Sequence, residues 1–419
     1  MKILVATVGG NLNPILRAWH GISPNFTAFI CSTDDLDTGH KGSYTQVEDK
    51  NSPAESLSGA LALTPKEDYA ITLVPADDLI AAYRIVKSLL EQLHTDHPEA
   101  VILADYTGGT KSMSACLVLA SSELDYVQLS VVTGARNDLI KVVHGTESMR
   151  RVNLGEVQVQ REMDAMLQHW QTFSYEAAEA GLNALVDGLI IDDLKRRVNY
   201  GRLLSRTFQL WDRFQHQEAL EVLSIYDKVM TDALRLYQID LKELTYKTPS
   251  PKQRFLQLWD LWLNAERRAA QRRYDDAIGR CYRIMEASGQ WILSFYQVES
   301  AEVNPESLGP EICGQLTIDM AAGPYKFGLV QTWQLASLLH TGPLAIAVKN
   351  HFGALQNLLA IRNHSLCAHG FRPISEHEWQ LWDQWLQEHF IPALQQEAQA
   401  LGIKRFPHQF PRTIEDVSH

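Results

Sequence analysis

No apolar run in these 419 residues approaches the roughly 18 needed to cross a bilayer as a helix. The first ten residues, MKILVATVGG, pass straight from a β-branched run into glycine, without the long apolar region and small-residue cleavage site of a secretory leader. These absences set the expectation of a cytoplasmic protein with no membrane association. Cysteine is also sparse: Cys31, Cys116, Cys281, Cys313 and Cys367 are scattered, odd in number and form no CxxC pair. That excludes a disulfide framework and a zinc ribbon, and leaves reduced, mostly buried thiols. Positive charge is in deficit, with 38 Lys and Arg against 50 Asp and Glu and a net charge of -12. A broad nucleic-acid surface needs many cationic contacts to phosphates and is therefore excluded, whereas a small, locally basic cleft is not.

With 45% hydrophobic and 21% charged residues, the composition is that of a soluble globular chain. At about 150 residues per domain, the length implies two or three domains.

Up to about residue 150, short apolar runs alternate with helical patterns: KILVATV, FTAFICS, YAITLVP, AVILADY, DYVQLSVV and LIKVVHG. Strands spaced by helices predict a largely parallel α/β sheet, whose ligand sites lie at the carboxyl ends of strands near the switch in strand order. Two turns stand where such a site would be. The first, TVGGNLNP, places Gly9, Gly10 and Asn11 between a strand and a helix. The second, DYTGGTKS, runs from Asp105 to Ser112. Its backbone N–H groups, the hydroxyls of Thr107, Thr110 and Ser112 and the cation of Lys111 can converge on phosphate at a helix N-terminus, with Gly108 and Gly109 allowing close approach. It is not a P-loop, because glycine and lysine are not adjacent. The plain structural alternative is a tight strand-to-helix turn capped by Thr110 or Ser112. Residues 34–66 are polar and read as a long loop with a short helix, of the kind that forms a lid or is mobile.

Beyond about residue 160 the strand signal ends and long helical patterns follow, so this half is all-α. Trp170, Trp211, Trp259, Trp262 and Trp291 recur at helical spacing and are expected in the core. In YDDAIGRCYRIME, Tyr274, Ile278, Cys281, Tyr282 and Met285 form an apolar stripe, with Arg280 beside it and Arg283 paired to Glu286 at i,i+3. Residues 299–330 read as a loop between helices, and the tail FPHQFPRTIEDVSH as an extended surface segment.

The stretch ALQNLLAIRNHSLCAHGF, residues 354–371, reads as a helix with Ala354, Leu355, Leu358, Leu359 and Leu366 facing a core and Gly370 and Pro373 as its stop. On such a helix Arg362 and His369 lie two turns apart on one face, about 10 Å along the axis. A guanidinium that grips phosphate oxygens and an imidazole that titrates near neutrality suit phosphodiester chemistry, and a helix C-terminus favours imidazolium. A capping histidine and a surface arginine are the structural alternative.

Together, the TVGG and DYTGGTKSM turns followed by YDDAIGRCYRIME and RNHSLCAHG resemble the CARF-HEPN ancillary ribonucleases of type III CRISPR systems, over most of the chain. The resemblance implies a Rossmann-like CARF domain over 1–155, a helical connecting region over 156–265 and an all-α HEPN domain over 266–419. It implies a homodimer in which cyclic oligoadenylate, an allosteric activator, binds the turns Gly9, Gly10, Asn11 and Thr107, Gly108, Gly109, Thr110, Lys111, Ser112, with Lys111 and Thr107 foremost. It also implies cleavage of single-stranded RNA by Arg362 and His369, with Asn363 positioning, and with no metal or other cofactor. Six residues separate Arg362 from His369, at the upper edge of the family spacing, and His364 does not fit it. Two other readings stay open at this point. One is a non-catalytic nucleotide sensor whose helical half binds a protein or nucleic-acid partner, although no basic helix-turn-helix stands out. The other is a nucleotide-using enzyme with its chemistry at Asp105 and Lys111.

Overall fold

The computed structural model describes residues 1–419 except 36–38, 50, 134–135, 138–140, 143–147, 153–154, 188–191, 247, 249 and 419. The chain divides into two compact units, Met1–Arg161 and Glu162–His419. No helix of the described residues is long and apolar enough to cross a membrane.

The first unit is a doubly wound sheet. Strands β1 (Lys2–Thr7), β2 (Phe26–Ser32), β3 (Tyr69–Val74), β4 (Val101–Asp105) and β5 (Val127–Thr133) are parallel, and β6 (Ser148–Val152) adds an antiparallel edge in the order β3-β2-β1-β4-β5-β6. Helices α1 (Asn13–Ile22), α2 (Leu79–Asp96) and α3 (Lys111–Ser121) connect them. The central strands are apolar without alternation because both faces are covered. Ile3, Val5, Ala28, Ile30, Ile102 and Ala104 pack with α2 and α3, while Leu4, Ala6, Phe29, Cys31 and Leu103 pack with Ile15 and Ile22 of α1. Of the expected strand LIKVVHG, Lys141–Val142 pairs with Arg136–Asn137 in a small hairpin, and the rest lies outside the described residues. The edge strand SMRRV was not foreseen, since two adjacent arginines mask its pattern.

Residues 34–66, expected as a lid, are held down where they are described. Val47 and Leu57 are fully buried in the core beside α1, and the Tyr69 hydroxyl donates to Glu48 at 2.6 Å.

The second unit is all-helical, as expected. Its main helices are α4 (Gly155–Leu167), which begins in the first unit, α5 (Tyr175–Asp187), α6 (Asp192–Asp212), α7 (His216–Ser224), α8 (Asp232–Leu244), α9 (Pro251–Ala270) and α10 (Tyr274–Ser294). There follow α11 (Leu329–Leu339), α12 (Pro343–Asn350), α13 (Phe352–Asn363), α14 (Glu376–Trp385) and α15 (Ile391–Ala400). Residues 299–330 include two short helices, Pro305–Leu308 and Pro310–Leu316. The single closing helix expected over 376–402 instead passes through a π-turn at Leu386–Phe390, where Pro392 removes a backbone donor. Trp170, Trp211, Trp259, Trp262 and Trp291 are all buried, and all five cysteines are free thiols, four of them buried.

A buried ionic knot ties the helices together. Arg267 on α9 has no exposed surface, yet its Nε donates to Asp212 at 2.8 Å, its Nη2 to Asp260 at 3.3 Å and its Nη1 to Gln409 at 3.0 Å. The Phe410 ring lies 3.7 Å from the guanidinium carbon. Asp260 also accepts from Trp211 Nε1 at 3.1 Å and contacts His216 at 2.9 Å. Burial presses the Arg267 guanidinium toward neutrality, and Asp260 opposes this.

The tail corrects the expectation of a surface segment. Trp259 donates to the Pro407 carbonyl, Tyr237 to that of Gln409 and Tyr175 to that of Pro411, while Phe410 is buried among Tyr175, Phe208 and Trp211. The aromatic and proline residues that break helical periodicity here are core residues of an extended strap. Substituting Arg267→Ala leaves the buried Asp260 carboxylate without its guanidinium, while Asp212 keeps Arg268, and is expected to cost about 3–5 kcal/mol. The check is the thermal midpoint of the helical unit in calorimetry of the full chain, and an unchanged midpoint contradicts the knot's role.

Candidate sensor and active sites

In the first unit the strand order reverses at β1, which lies between β2 and β4. The loops that follow β1 and β4 therefore leave the same sheet edge side by side, at the switch point where doubly wound folds hold ligands. Their backbones touch. The Thr7 hydroxyl donates to the Gly108 carbonyl at 2.7 Å. A Cβ on Gly108 would stand 2.3 Å from the Thr7 carbonyl oxygen, and one on Gly9 would stand 2.8 Å from the Gly109 nitrogen. Gly109 itself adopts φ +80°, which a side chain resists. These glycines thus serve loop-to-loop packing as well as any ligand.

The hydroxyls divide by their commitments. Thr110 caps α3, accepting from Met113 N–H at 3.3 Å and donating to the Ala76 carbonyl at 2.5 Å. Its hydroxyl is thus engaged within the turn, as the capping alternative expects. Thr107 Oγ1 accepts from Val132 N–H at 2.8 Å and is left with its proton to donate. Asp105 is almost fully buried, accepting from Thr107 N–H and the Ser130 hydroxyl; burial raises its pKa, and Thr107 and Ser130 oppose the rise. It holds the turn. Lys111, the first residue of α3, is exposed, and neither Lys111 nor Ser112 has a side-chain bond among the described residues. Gly10 and Asn11 are exposed, and Asn11 Oδ1 accepts from Asn13 N–H at 3.2 Å.

In the second unit the helix expected to carry both Arg362 and His369 ends at Asn363. His364 stops it: the ring Nδ1 lies 2.7 Å from the Ala360 carbonyl, and the imidazole competes for a helical acceptor. The capping histidine is therefore His364. Residues 364–370 fold into a compact turn in which Ala368 N–H and Gly370 N–H both donate to the Ser365 carbonyl at 3.1 Å, and His369 N–H donates to the Asn363 carbonyl at 3.2 Å. The expected spacing along one helix face is thus corrected: His369 returns to the helix end through its backbone. Leu355, Leu358 and Leu359 are buried as expected, but Ala354 and Leu366 are exposed, Leu366 at 55%.

Arg362 is half-buried with its guanidinium 4.2 Å from the centre of the Tyr282 ring on α10. Its Nη1 donates to Asn363 Oδ1 at 3.2 Å, and its Nε is buried without a partner. Ring and amide fix the plane of the cation. The His369 side chain is exposed and has no bond among the described residues. Ile374 N–H donates to Asp275 Oδ2 at 3.0 Å, which ties the chain beyond the turn to the start of α10. The Cys367 thiol is raised by partial burial and then by Asp275 and Asp276, while Arg362 and Arg280 pull it down. The expected Arg283–Glu286 pair is present at 2.6 Å, and Arg280 is held by Asn264 and the Asp276 carbonyl. Among the described residues no group of three His, Cys, Asp or Glu stands in a metal-ligand arrangement.

The chain thus combines an α/β unit with paired glycine turns at its switch point and a helical unit with an Arg-Asn…His turn. Residues 247–391 match the family model of the Csm6 HEPN domain. The fold is shared with a solved structure of Enterococcus italicus Csm6 bound to cyclic hexa-2'-fluoro-hexa-dAMP, at 13% identity and a TM-score of 0.56 over 97% of this chain and 95% of that one. No curated protein matches the chain.

Gly370 closes the turn most tightly, since a Cβ there would stand 2.0 Å from the His364 carbonyl oxygen. Gly370→Ala is expected to destabilise the helical unit by about 1–3 kcal/mol, the usual scale for an intrusion that moves backbone. Thermal denaturation checks this, and a midpoint equal to that of the unsubstituted protein contradicts it.

Proposed function

We propose that this protein is a cyclic-oligoadenylate-activated endoribonuclease that cuts single-stranded RNA without a metal, in the cytoplasm, as part of type III CRISPR defence. The observation that carries the reading is the turn 362–370. It lies inside the matched HEPN region and combines an oriented guanidinium, an amide that orients it and an uncommitted imidazole.

RNA supplies its own nucleophile in the 2'-hydroxyl, which attacks the adjacent phosphorus. The phosphorane gathers negative charge on its nonbridging oxygens. Arg362, held flat by Tyr282 and Asn363, faces that charge without reorganising. His369 exchanges the proton, as base toward the 2'-hydroxyl or as acid toward the departing 5'-oxygen. One chain offers a single such pair. A second copy across a two-fold axis completes a cleft with two histidines and two arginines, which provides both an acid and a base. In this reading the HEPN domain occupies 266–419 and the connecting helices 156–265.

Activation is assigned to the first unit. Cyclic oligoadenylate is the class of ligand carried by the structurally similar Csm6, and the touching turns after β1 and β4 offer Gly9, Gly10 and Asn11 on one side and Thr107, Gly108, Gly109, Lys111 and Ser112 on the other. Lys111 is the uncommitted cation at the start of α3, and the Thr107 hydroxyl retains a proton to donate. The ligand shifts the equilibrium only by binding the active arrangement more tightly than the inactive one.

With labelled RNA and EDTA, cleavage is expected only when cyclic tetra- or hexa-adenylate is added. Arg362→Ala should lower the rate by about 10²–10³-fold, and His369→Ala should abolish it while activator binding survives. Persistent cleavage by His369→Ala contradicts the catalytic assignment. Separately, Lys111→Ala is expected to weaken activator binding roughly tenfold or more, the scale of one charge-assisted bond. An unchanged affinity in calorimetric titration removes Lys111 from the site.

A further inference from the structure

The chemistry above leaves unused a cleft of about 930 Å³ in the helical unit, lined by parts of α5, α6, α9 and α10. Two side chains in its lining are more than nine-tenths buried and carry polar atoms without a partner: Arg268, 7% exposed, at Nε, and Gln209, 8% exposed, at Oε1. Buried polar groups in native folds normally meet a partner; these two atoms have almost no accessible surface, so the groups that a ligand in the cleft can reach are its exposed guanidiniums.

The lining is cationic. Arg213, Arg268, Arg273 and Arg280 stand against the carboxylates of Asp212 and Glu176. Arg213 is paired with Glu176 at 2.7 Å and Arg268 with Asp212, while Arg273 and Arg280 share Asp276. The excess is felt locally: the Arg268 guanidinium is pushed down to about 10, by burial first and then by Arg280 and Arg273. A second cleft, of about 590 Å³, adjoins the first through Phe214 and carries Arg254 and Arg283. The shared Phe214 is 38% exposed. Adjoining clefts with repeated guanidiniums and an accessible ring between them match a polyanion with planar bases, since single strands are held by backbone charge and base stacking. Two clefts in series suit a polymer better than a mononucleotide. The helix α10 that carries Arg280 and Arg283 also places Tyr282 under Arg362.

We infer that these adjoining clefts bind the sugar-phosphate chain of the single-stranded RNA substrate beyond the catalytic turn, with Phe214 stacking a base. The inference rests on the ribonuclease reading above and adds to it a substrate-binding track that is not part of the Arg362–His369 pair.

The test uses the full chain carrying His369→Ala, so that bound RNA stays intact, and fluorescence anisotropy with a labelled RNA of roughly 20 nucleotides and with a hexamer. Arg213 and Arg273 have side chains about half exposed, so Arg213→Ala with Arg273→Ala spares the fold, which circular dichroism confirms. The expected result is about tenfold weaker binding of the longer RNA, a slope of log affinity on log salt shallower by about 1.4 for two lost phosphate contacts, and little change for the hexamer. Unchanged affinity and slope for the longer RNA overturn the inference. So does arginine-dependent binding of ATP that is tighter than that of RNA, which marks a free-nucleotide site. Failure of the two readings is distinguishable: active wild-type protein with arginine-independent RNA binding removes the clefts alone, whereas arginine-dependent RNA binding by a wild-type protein that cuts no RNA removes the ribonuclease reading alone.

Discussion

The helical unit depends on one buried cation. Arg267 without solvent is tolerable only because Asp212 from α6, Asp260 from its own helix, Gln409 and the Phe410 ring from the tail all meet it. Taking such a charge out of water costs several kcal/mol, which only this full set of partners offsets. The arrangement therefore fixes three segments at once. From it a line of contacts leads toward the Arg362–Gly370 turn: Asp212 accepts from Asn264 at 2.7 Å, Asn264 holds Arg280 of α10, and α10 presents Tyr282 under Arg362 and Asp275 to the chain beyond the turn.

The Arg362–Gly370 turn has a similar logic on a smaller scale. A continuous helix would carry Arg362 and His369 on a rigid face, but the structure ends the helix between them and closes the connection on backbone bonds and on the absence of a side chain at Gly370. The arginine is thus constrained by packing, and the histidine keeps an exposed ring. That division suits the roles proposed for them, a fixed charge for the phosphorane and a proton carrier accessible to substrate. In the sheet unit the corresponding device is the contact of two glycine turns at the switch point, which leaves Lys111 exposed beside them.

Much of this was legible in the residues. KILVATV, FTAFICS and AVILADY are strands because parallel sheets bury both faces, so unbroken apolar runs are diagnostic, and the two glycine turns fell at strand ends as their spacing required. The helical half and its buried tryptophans were equally plain. What periodicity concealed was local competition. His364 takes up a helical carbonyl and α13 ends at Asn363, six residues before His369, although LLAIRNHSLCAHG keeps an apolar residue at each turn. The tail carries no period, and its burial comes from hydrogen bonds to its carbonyls by Tyr175, Tyr237 and Trp259, residues far away in sequence. That Thr110 caps α3 was one of the two readings of its turn, but its bond to the Ala76 carbonyl joins residues distant in sequence and no local pattern displays it. The arginine clefts draw on residues from Phe173 to Trp291, and no window of sequence displays them.

In the proposed reaction the Arg362–His369 turn directs a 2'-hydroxyl attack with no metal in the step. The end groups of the RNA fragments formed in EDTA with cyclic oligoadenylate present decide it. Fragments ending in 2',3'-cyclic phosphate, with 5'-hydroxyl on the departing piece, are the expected result. Fragments with 3'-hydroxyl and 5'-phosphate ends, or cleavage that returns only when a divalent metal is restored, contradict it.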